Sequence, residues 1–496
     1  MSRNSLGMTA DALLRRSLLR RILCLGLGAS SGWPQFCSAA DNVGSGAEAV
    51  TDDDVLVVGS GIAGLCAAIS AKESGEERVR ILEKGPLIGG HSLYSSGSIA
   101  AVAPERAAAN SGRLGFVDSV EAFVADALAA GGGFGNRAIL TRIARESADA
   151  LDWLESMGVR FGAPFQAHSG LKPRSFSMRG NSAGRSYVLA LATRARSLGI
   201  PIEMRCRVAS IARSESADAR WFATVQTRRG EQRCRARKIV LTTGGFTANV
   251  ERRRAILPML SADIGTTANP DGSVWEGADG DGIDLACRVG GVFLTGYGLQ
   301  LLPYWGGRLL DYAGGDIYVD AEGRRFVNEA LPWTPIAEKI FQLPDKAFWV
   351  ITDRQSVKGA TLGLKLLNGA VRRADTIEEM ALAMDVPVET LAKTLADYNA
   401  AARRGYDPLT GKRTFTQTID RPPYYFGREH IYVHTTLDGI ATDEHARVLD
   451  KAGASIPGLY AAGELAGGIF GRDRLGGAGL ANCIVMGRVA GRRDGN

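Results

Sequence analysis

Val55-Leu56-Val57-Val58-Gly59-Ser60-Gly61-Ile62-Ala63-Gly64 decides the fold. An apolar run enters a glycine-rich turn, and Leu65-Cys66-Ala67-Ala68-Ile69 then continues as a helix. Glycines permit the tight turn and let backbone N–H groups and the helix N-terminus approach a pyrophosphate. A second apolar strand, Val79-Arg80-Ile81-Leu82, ends in Glu83, about twenty residues past the last glycine, where a dinucleotide site places an acid to accept from a ribose hydroxyl. A lone G-x-G-x-x-G is weak evidence, because such turns also join strands to helices for packing alone. Here the strand before it, the helix after it and the acid beyond agree.

Two later segments choose between cofactors. Ile239-Val240-Leu241 runs into Thr242-Thr243-Gly244-Gly245, and Ile456-Pro457-Gly458-Leu459-Tyr460-Ala461-Ala462-Gly463-Glu464 does the same late in the chain. Each reads as a strand returning to the first sheet and ending where backbone passes close to a ligand. A simple nicotinamide domain needs neither, so the three segments predict one FAD site assembled from the whole chain. The fold class expected is α/β, a Rossmann-like FAD-binding domain with an inserted α+β capping domain.

The net charge of +6 does not signal a polyanion partner. Arg3, Arg15, Arg16, Arg20 and Arg21 against Asp11 give residues 1–40 a net +4, which leaves +2 for the remainder. No nucleic-acid footprint remains. The first forty residues read as a twin-arginine signal peptide: Arg15-Arg16-Ser17-Leu18-Leu19-Arg20, a short apolar stretch Ile22–Ala29, and small residues Ser38-Ala39-Ala40 at a cleavage site. That apolar stretch is too short and glycine-broken for a bilayer span, so no membrane anchor is expected. Export by this route suits a protein that folds around FAD before crossing a membrane, which predicts a periplasmic location. Of seven cysteines, Cys24 and Cys37 fall in the signal; Cys66, Cys206, Cys234, Cys287 and Cys483 are scattered and odd in number. They form no disulfide framework, haem attachment, iron–sulfur or zinc pattern. Electrons must therefore pass to or from another molecule, such as a c-type cytochrome or a quinone-linked protein.

Residues 41–52 read as a linker. The FAD-binding domain is expected over 53–295 and 429–496, and the capping domain over 296–428, where the texture turns aromatic. Helices are predicted over Ser119–Gly131, Ala138–Met157, Tyr187–Leu198, Thr376–Met384 (with Thr376 and Glu379 as a capping box) and Val388–Ala402. Short strands are predicted over Ile202–Ile211, Trp221–Thr227 and Cys234–Leu241.

With Arg324-Arg325-Phe326-Val327-Asn328-Glu329, the stretch Leu391-Ala392-Lys393-Thr394-Leu395-Ala396-Asp397-Tyr398-Asn399, and the tail from Ile456 through Arg472-Asp473-Arg474-Leu475-Gly476-Gly477-Ala478, the chain resembles the flavoprotein family of succinate dehydrogenase and fumarate reductase. The likeness is to its soluble periplasmic flavocytochrome branch, without a haem domain, and covers about Asp53 to Ala490. In that family a cap closes over the flavin, and substrate lies between the two. The resemblance implies FAD contacts at Gly59, Gly61, Ile62, Ala63, Gly64, Glu83, Lys84, Gly90, His91, Ser92, Gly97, Val208, Thr243, Gly244, Gly245, Glu464, Gly477, Ala478 and Leu480. It also aligns His434 and Arg474 with the histidine and arginine that hold a dicarboxylate. An arginine fork reads a carboxylate bidentately, and a histidine beside it donates to the same group or polarises a carbonyl. The bland alternatives stay open: Arg474 binding flavin or pairing an acid, and His434 as a satisfied strand histidine.

The pattern breaks on the cap side. Fumarate reductases carry a proton-donating arginine four residues past the glutamate of the R-F-V-N-E run; this chain has Trp333 there. The expected His-Pro becomes Leu302-Pro303, and the threonine–glutamate pair that grips a second carboxylate is not intact. Tryptophan neither relays a proton nor holds a carboxylate. Fumarate, succinate and urocanate are therefore rejected as substrates in favour of a larger or more apolar molecule. His91 is a second departure: the membrane-complex enzymes of the family carry a histidine bonded covalently to flavin, whereas soluble members usually have asparagine or serine. Covalent attachment through His91 and simple lining of the flavin are both open.

The sequence thus reads as a periplasmic FAD-dependent oxidoreductase acting on CH–CH groups, a dehydrogenase rather than a fumarate reductase. It would move hydride between a carbon next to a carboxylate or carbonyl and flavin N5. Tyr304, Tyr312 and Asp311 are the base candidates; a tyrosine would need its pKa lowered. The alternatives are an enone reductase or 3-ketosteroid-type dehydrogenase, and a flavin-bearing electron-transfer subunit without small-molecule turnover.

Overall fold

The computed structural model describes residues 51–106, 118–166, 172–179, 184–214, 220–270, 272–304, 309–310, 312–358 and 362–493. The expected signal segment, most of the linker and Asp311 lie outside the described residues, as does the side chain of Tyr304.

Thr51–Val58 (β1) leads into Ile62–Glu73 (α1) and returns through Val79–Glu83 (β2), parallel to β1 with Val57 opposite Ile81. Gly230–Leu241 (β3) lies parallel on the other side of β1, and Ser455–Ala461 lies parallel to β3. The sheet order is Arg447–Leu449, Ser455–Ala461, β3, β1, β2, Ile202–Met204. β1, β3 and Ser455–Ala461 all end at one edge, where Thr242 N–H donates to Val58 O (2.8 Å) and Ala462 N–H to Leu241 O (3.1 Å). The three glycine segments are thereby brought to the carboxyl edge of a parallel sheet, where open α/β folds bind ligands. The first half of β3 pairs instead with the antiparallel strands Trp221–Thr227 and, beyond it, Arg207–Arg213, the expected β insertion.

Helices at Val120–Ala130, Arg137–Ser156 and Gly184–Ser197 fall where the apolar spacing predicts them. They share a core with α1 and with Ala478–Gly491, in which Ile62, Leu65, Ile69, Leu140, Leu151, Tyr187 and Ile484 are buried. Full burial of each such side chain is worth about 1.5–3 kcal/mol. Gly487 and Gly491 let Ala478–Gly491 lie directly on α1: a Cβ at either would sit 2.5 or 2.0 Å from a carbonyl oxygen of Ala63 or Ala67.

A second sheet is built from Leu299–Tyr304 (β4), Ile317–Val319, Ala347–Asp353 (β5), Val371–Ala374 and Tyr424–Thr436 (β6), with β6 between β4 and β5. One apolar cluster runs from Leu56, Val58 and Leu241 of the first sheet into Leu301, Leu302, Phe348, Val350 and the helix Trp333–Phe341 (α2). Ile377–Met384 and Val388–Arg404 cover the far face through Met380, Leu391, Leu395 and Tyr398. The Thr376 hydroxyl accepts the Glu379 N–H at 3.1 Å, while the Glu379 carboxylate reaches the Asp375 N–H at 2.9 Å, one residue further than in the expected capping box. The composition break at 428 falls inside β6, where Arg428 faces Trp349 and His430 faces Tyr304. One strand thus serves both sides of the expected boundary. Among the described residues no helix is long and apolar enough to cross a membrane.

Candidate active site

Gly61 precedes α1 without a side-chain cap, and the first turn of α1 carries no acid. Its amides therefore face a groove as donors for an anion; the Ile62 N–H is met by Ser92 Oγ at 3.1 Å. The groove is lined by Gly59, Gly61, Ile62, Ala63, Glu83, Lys84, Gly90, His91, Ser92, Val208, Thr243, Gly244 and Glu464. A Cβ on Gly244, whose φ is +79°, would meet nothing within 4 Å, and the buried Thr243 hydroxyl has no partner among the described residues. Open space beside glycine backbone, uncapped amides and an orphan hydroxyl fit a dinucleotide. Glu83 sits at the β2 end as expected, but its Oε2 already accepts from Ser60 N–H (2.9 Å) and Oγ (2.6 Å), and Oε1 accepts from Gly85 N–H (2.6 Å). It braces the turn besides facing the groove.

Three expected contacts lie elsewhere. A Cβ on Gly64 would be 1.9 Å from Gly59 O, and one on Gly245 would be 2.0 Å from Thr436 Oγ1. Neither lines the cavity; in both, a neighbouring group occupies the space that a Cβ would need. Ala478 is buried where the Ala478–Gly491 helix begins. The sequence reading missed Trp275, Gly277 and Asp281, which line the groove. Trp275 covers Gly85 and Gly277, either of whose Cβ would be 2.5 Å from its ring. A tryptophan in an irregular loop carries no periodic signal that would have found it.

Through His91, Ser92, Gly463, Glu464 and Cys483 the groove joins a second cavity, which Gly97, Gly477, Leu480, His434 and Arg474 line. His434 stands in a β-bulge of β6: Gln300 faces Thr435 and Leu301 faces Val433, leaving His434 as the extra residue. Bulges re-aim side chains, and Thr267 Oγ1 fixes the ring at 2.8 Å from Nδ1. The Arg474 guanidinium lies over Gly479, whose Cβ would be 2.6 Å from Nη1. It makes no side-chain hydrogen bond or ion pair with another described residue. Burial lowers its pKa, against the opposing fields of Asp473 and Glu464.

Leu302, Phe165, Phe470 and Trp333, the buried first residue of α2, give the same cavity an apolar part of its lining, beside the polar Gln300, Ser177 and Tyr94. Glu329 does not reach the cavity. It is enclosed between Arg325 (2.7 Å) and Lys412 (2.8 Å), which hold its pKa down against burial. Tyr312 is also turned away: its hydroxyl accepts the Val357 N–H at 3.1 Å, and burial raises its pKa, the wrong direction for a base. Tyr312 is thus removed from the base candidates.

His91 lies in a short 3₁₀ turn, Gly90–Tyr94. Its Nε2 is 2.7 Å from Glu276 Oε1, without the alignment of a hydrogen bond, and Thr266 Oγ1 donates to the same oxygen at 2.8 Å. Burial opposes the imidazolium, but Glu276 and Glu464 outweigh it and raise the His91 pKa; burial likewise opposes the Glu276 carboxylate, which His91 and the threonines lower. The composition of the 276 region gave no sign of this partner.

The FAD binding domain family matches residues 54–480. A probable fumarate reductase from Shewanella frigidimarina is 30% identical over 449 residues, covering 88% of this chain and 74% of the relative. The acrylate reductase flavoprotein subunit of Shewanella woodyi is 30% identical over 517 residues, covering 97% of this chain and 98% of its own. The open conformation of a flavocytochrome c3 fumarate reductase matches with a TM-score of 0.67 at 27% identity, over 99% of this chain and 82% of that one. Sequence, sheet order and cavity agree with these likenesses: the chain belongs to the FAD-binding flavoprotein family of succinate dehydrogenase and fumarate reductase, and is an FAD-dependent oxidoreductase acting on carbon–carbon bonds.

Proposed function

We propose that the chain is an exported, periplasmic dehydrogenase for a carboxylate or carbonyl compound with an apolar body, and not a fumarate reductase. The observation that carries this reading is Arg474, a cation without a side-chain partner among the described residues, lining a cavity that Trp333, Leu302 and Phe165 also line. A guanidinium desolvated on the protein side binds a carboxylate strongly, while among the described residues no second arginine or lysine lines the cavity. Arg474 would hold the carboxylate and His434 would donate to it or to a carbonyl, stabilising enolate charge as a proton leaves the neighbouring carbon. Tyr304 and Asp311 remain as the groups to take that proton. Bound FAD supplies the hydride acceptor. A capping domain drawn from 296–428 would keep water out while Trp333 and Leu302 cover the reacting bond.

The oxidising direction rests on His91, since a bond to the flavin or a cation beside it raises its electron affinity. Acid precipitation separates the two: fluorescence retained on the polypeptide shows the bond, and free release leaves the ion pair as the remaining support. Electrons would leave to a c-type cytochrome or quinone-linked protein. The test of the whole reading is anaerobic bleaching of the flavin by a library of saturated carboxylates and ketones. Bleaching by an apolar monocarboxylate is the result expected. Response to redox proteins alone would instead make the chain an electron-transfer subunit.

A further inference from the structure

Asp473, next to Arg474, is buried and accepts three hydrogen bonds from three parts of the chain. Its Oδ1 accepts from the Arg474 N–H (2.7 Å) and from Gln300 Nε2 (2.5 Å), and its Oδ2 from the Thr334 N–H (2.9 Å). Thr334 is the second residue of α2, whose N-cap, Pro332, offers no side-chain cap. Asp473 therefore caps α2 from a distant segment, where an anion is favoured by the helix dipole. The Thr334 hydroxyl adds a longer contact to Arg472 O at 3.4 Å. Gln300 lies on β4 opposite Thr435, beside the bulge that carries His434. One carboxylate thus ties together Trp333 at the start of α2, the strand beside His434, and the backbone of Arg474.

We propose that Asp473 is a positioning residue that couples the seating of α2 and β4 to the placement of Arg474. When α2 is seated, the Thr334 and Gln300 donors fix the carboxylate, and the carboxylate fixes the peptide from which the guanidinium projects. When α2 is withdrawn, the same carboxylate loses its Thr334 donor, and when β4 shifts it loses Gln300; a buried, underbonded acid is costly. The apolar wall and the carboxylate anchor are therefore set as a unit. The consequence for ligand binding rests on the reading of Arg474 as the carboxylate anchor.

The test uses FAD-loaded wild type, Asp473→Asn and Gln300→Leu. Amide hydrogen exchange is followed over residues 334–341 and 474–480, and sodium acrylate is titrated against the spectrum of the oxidised flavin. Asp473→Asn is expected to keep its FAD and to exchange faster in both segments. It should bind acrylate about tenfold more weakly, the size of one lost hydrogen bond to a charged group. Gln300→Leu, which removes only the β4 donor, is expected to loosen 474–480 as well. Loosening confined to one segment, or unchanged acrylate affinity in Asp473→Asn, overturns the coupling. If Asp473→Asn cannot hold FAD, Gln300→Leu decides: exchange unchanged over 474–480 overturns the proposal. Should wild type bind no acrylate, the anchor reading of Arg474 fails, and the exchange data still decide the coupling.

Discussion

His91 Nε2 and Glu276 Oε1 stand 2.7 Å apart, and His91 is one of the residues that both halves of the cavity share. The raised imidazole contributes stability that is fully present below its ordinary value of 6.5 and lost as pH rises through the folded-state value. The lowered carboxylate contributes stability present above its ordinary value of 4.5 and lost as pH falls through the folded-state value. The pair therefore works between these limits. The Tm advantage of wild type over Glu276→Gln should be full from pH 4.5 to 6.5 and shrink above that range. An advantage that grows with pH contradicts the pairing.

Two glycines of one turn should fail differently. Gly64→Ala drives a Cβ to 1.9 Å from backbone and should destabilise the fold by about 1–3 kcal/mol or more. Gly61→Ala meets only ordinary contacts, 3.6 Å to Ser92 Oγ, at a φ of −61°. It should fold normally and lose FAD affinity, because its methyl enters the groove. Tm of the apo-protein and FAD content after gel filtration separate the two; equal Tm losses would make Gly61 a packing glycine.

Arg474→Lys should retain FAD and lose carboxylate binding by about 2 kcal/mol, roughly thirtyfold, because an ammonium does not reproduce the bidentate fork. Titration of the flavin spectrum with small carboxylates reads this directly. Undiminished affinity would return Arg474 to a structural role.

Fumarate reduction by a reduced viologen dye should be negligible in wild type if, as the resemblance implies, Trp333 stands where the family carries its proton-donating arginine. Trp333→Arg should not create it and should lower Tm, because position 333 is 5% exposed and packed among apolar residues. Rapid fumarate turnover by wild type would show the cap residues to be misaligned.

The frame was readable because its signals are local: β1, α1 and β2 announce themselves through apolar runs broken by glycine, and the later segments return to the same sheet edge. What the letters could not separate was two uses of glycine. Gly61 and Gly244 stand beside open groove, while Gly64 and Gly245 are glycine because backbone or Thr436 lies within 2.0 Å of a Cβ there. Non-local pairings were equally silent. Glu276 with His91, and Asp473 with Gln300 and Thr334, join residues 185, 173 and 139 positions apart. Tyr312 looked like a base because aromatic texture does not reveal which way a hydroxyl points.

The bulge at His434 also constrains how this protein can change. Because Gln300 pairs with Thr435 and Leu301 with Val433, removing residue 434 would leave a perfectly regular ladder. The repair would cost the aim of the site: Thr435 would still face Gln300 and Val433 would still face Leu301, but the extra residue that brings an imidazole to Thr267 and the cavity would be gone. Thr436, whose N–H and hydroxyl hold Glu464 at 2.9 and 3.3 Å, would keep its place opposite Leu299. Descendants of this chain can therefore give up the imidazole in two ways, by substitution within the bulge or by deletion of its extra residue, and only the first keeps the local bend of β6.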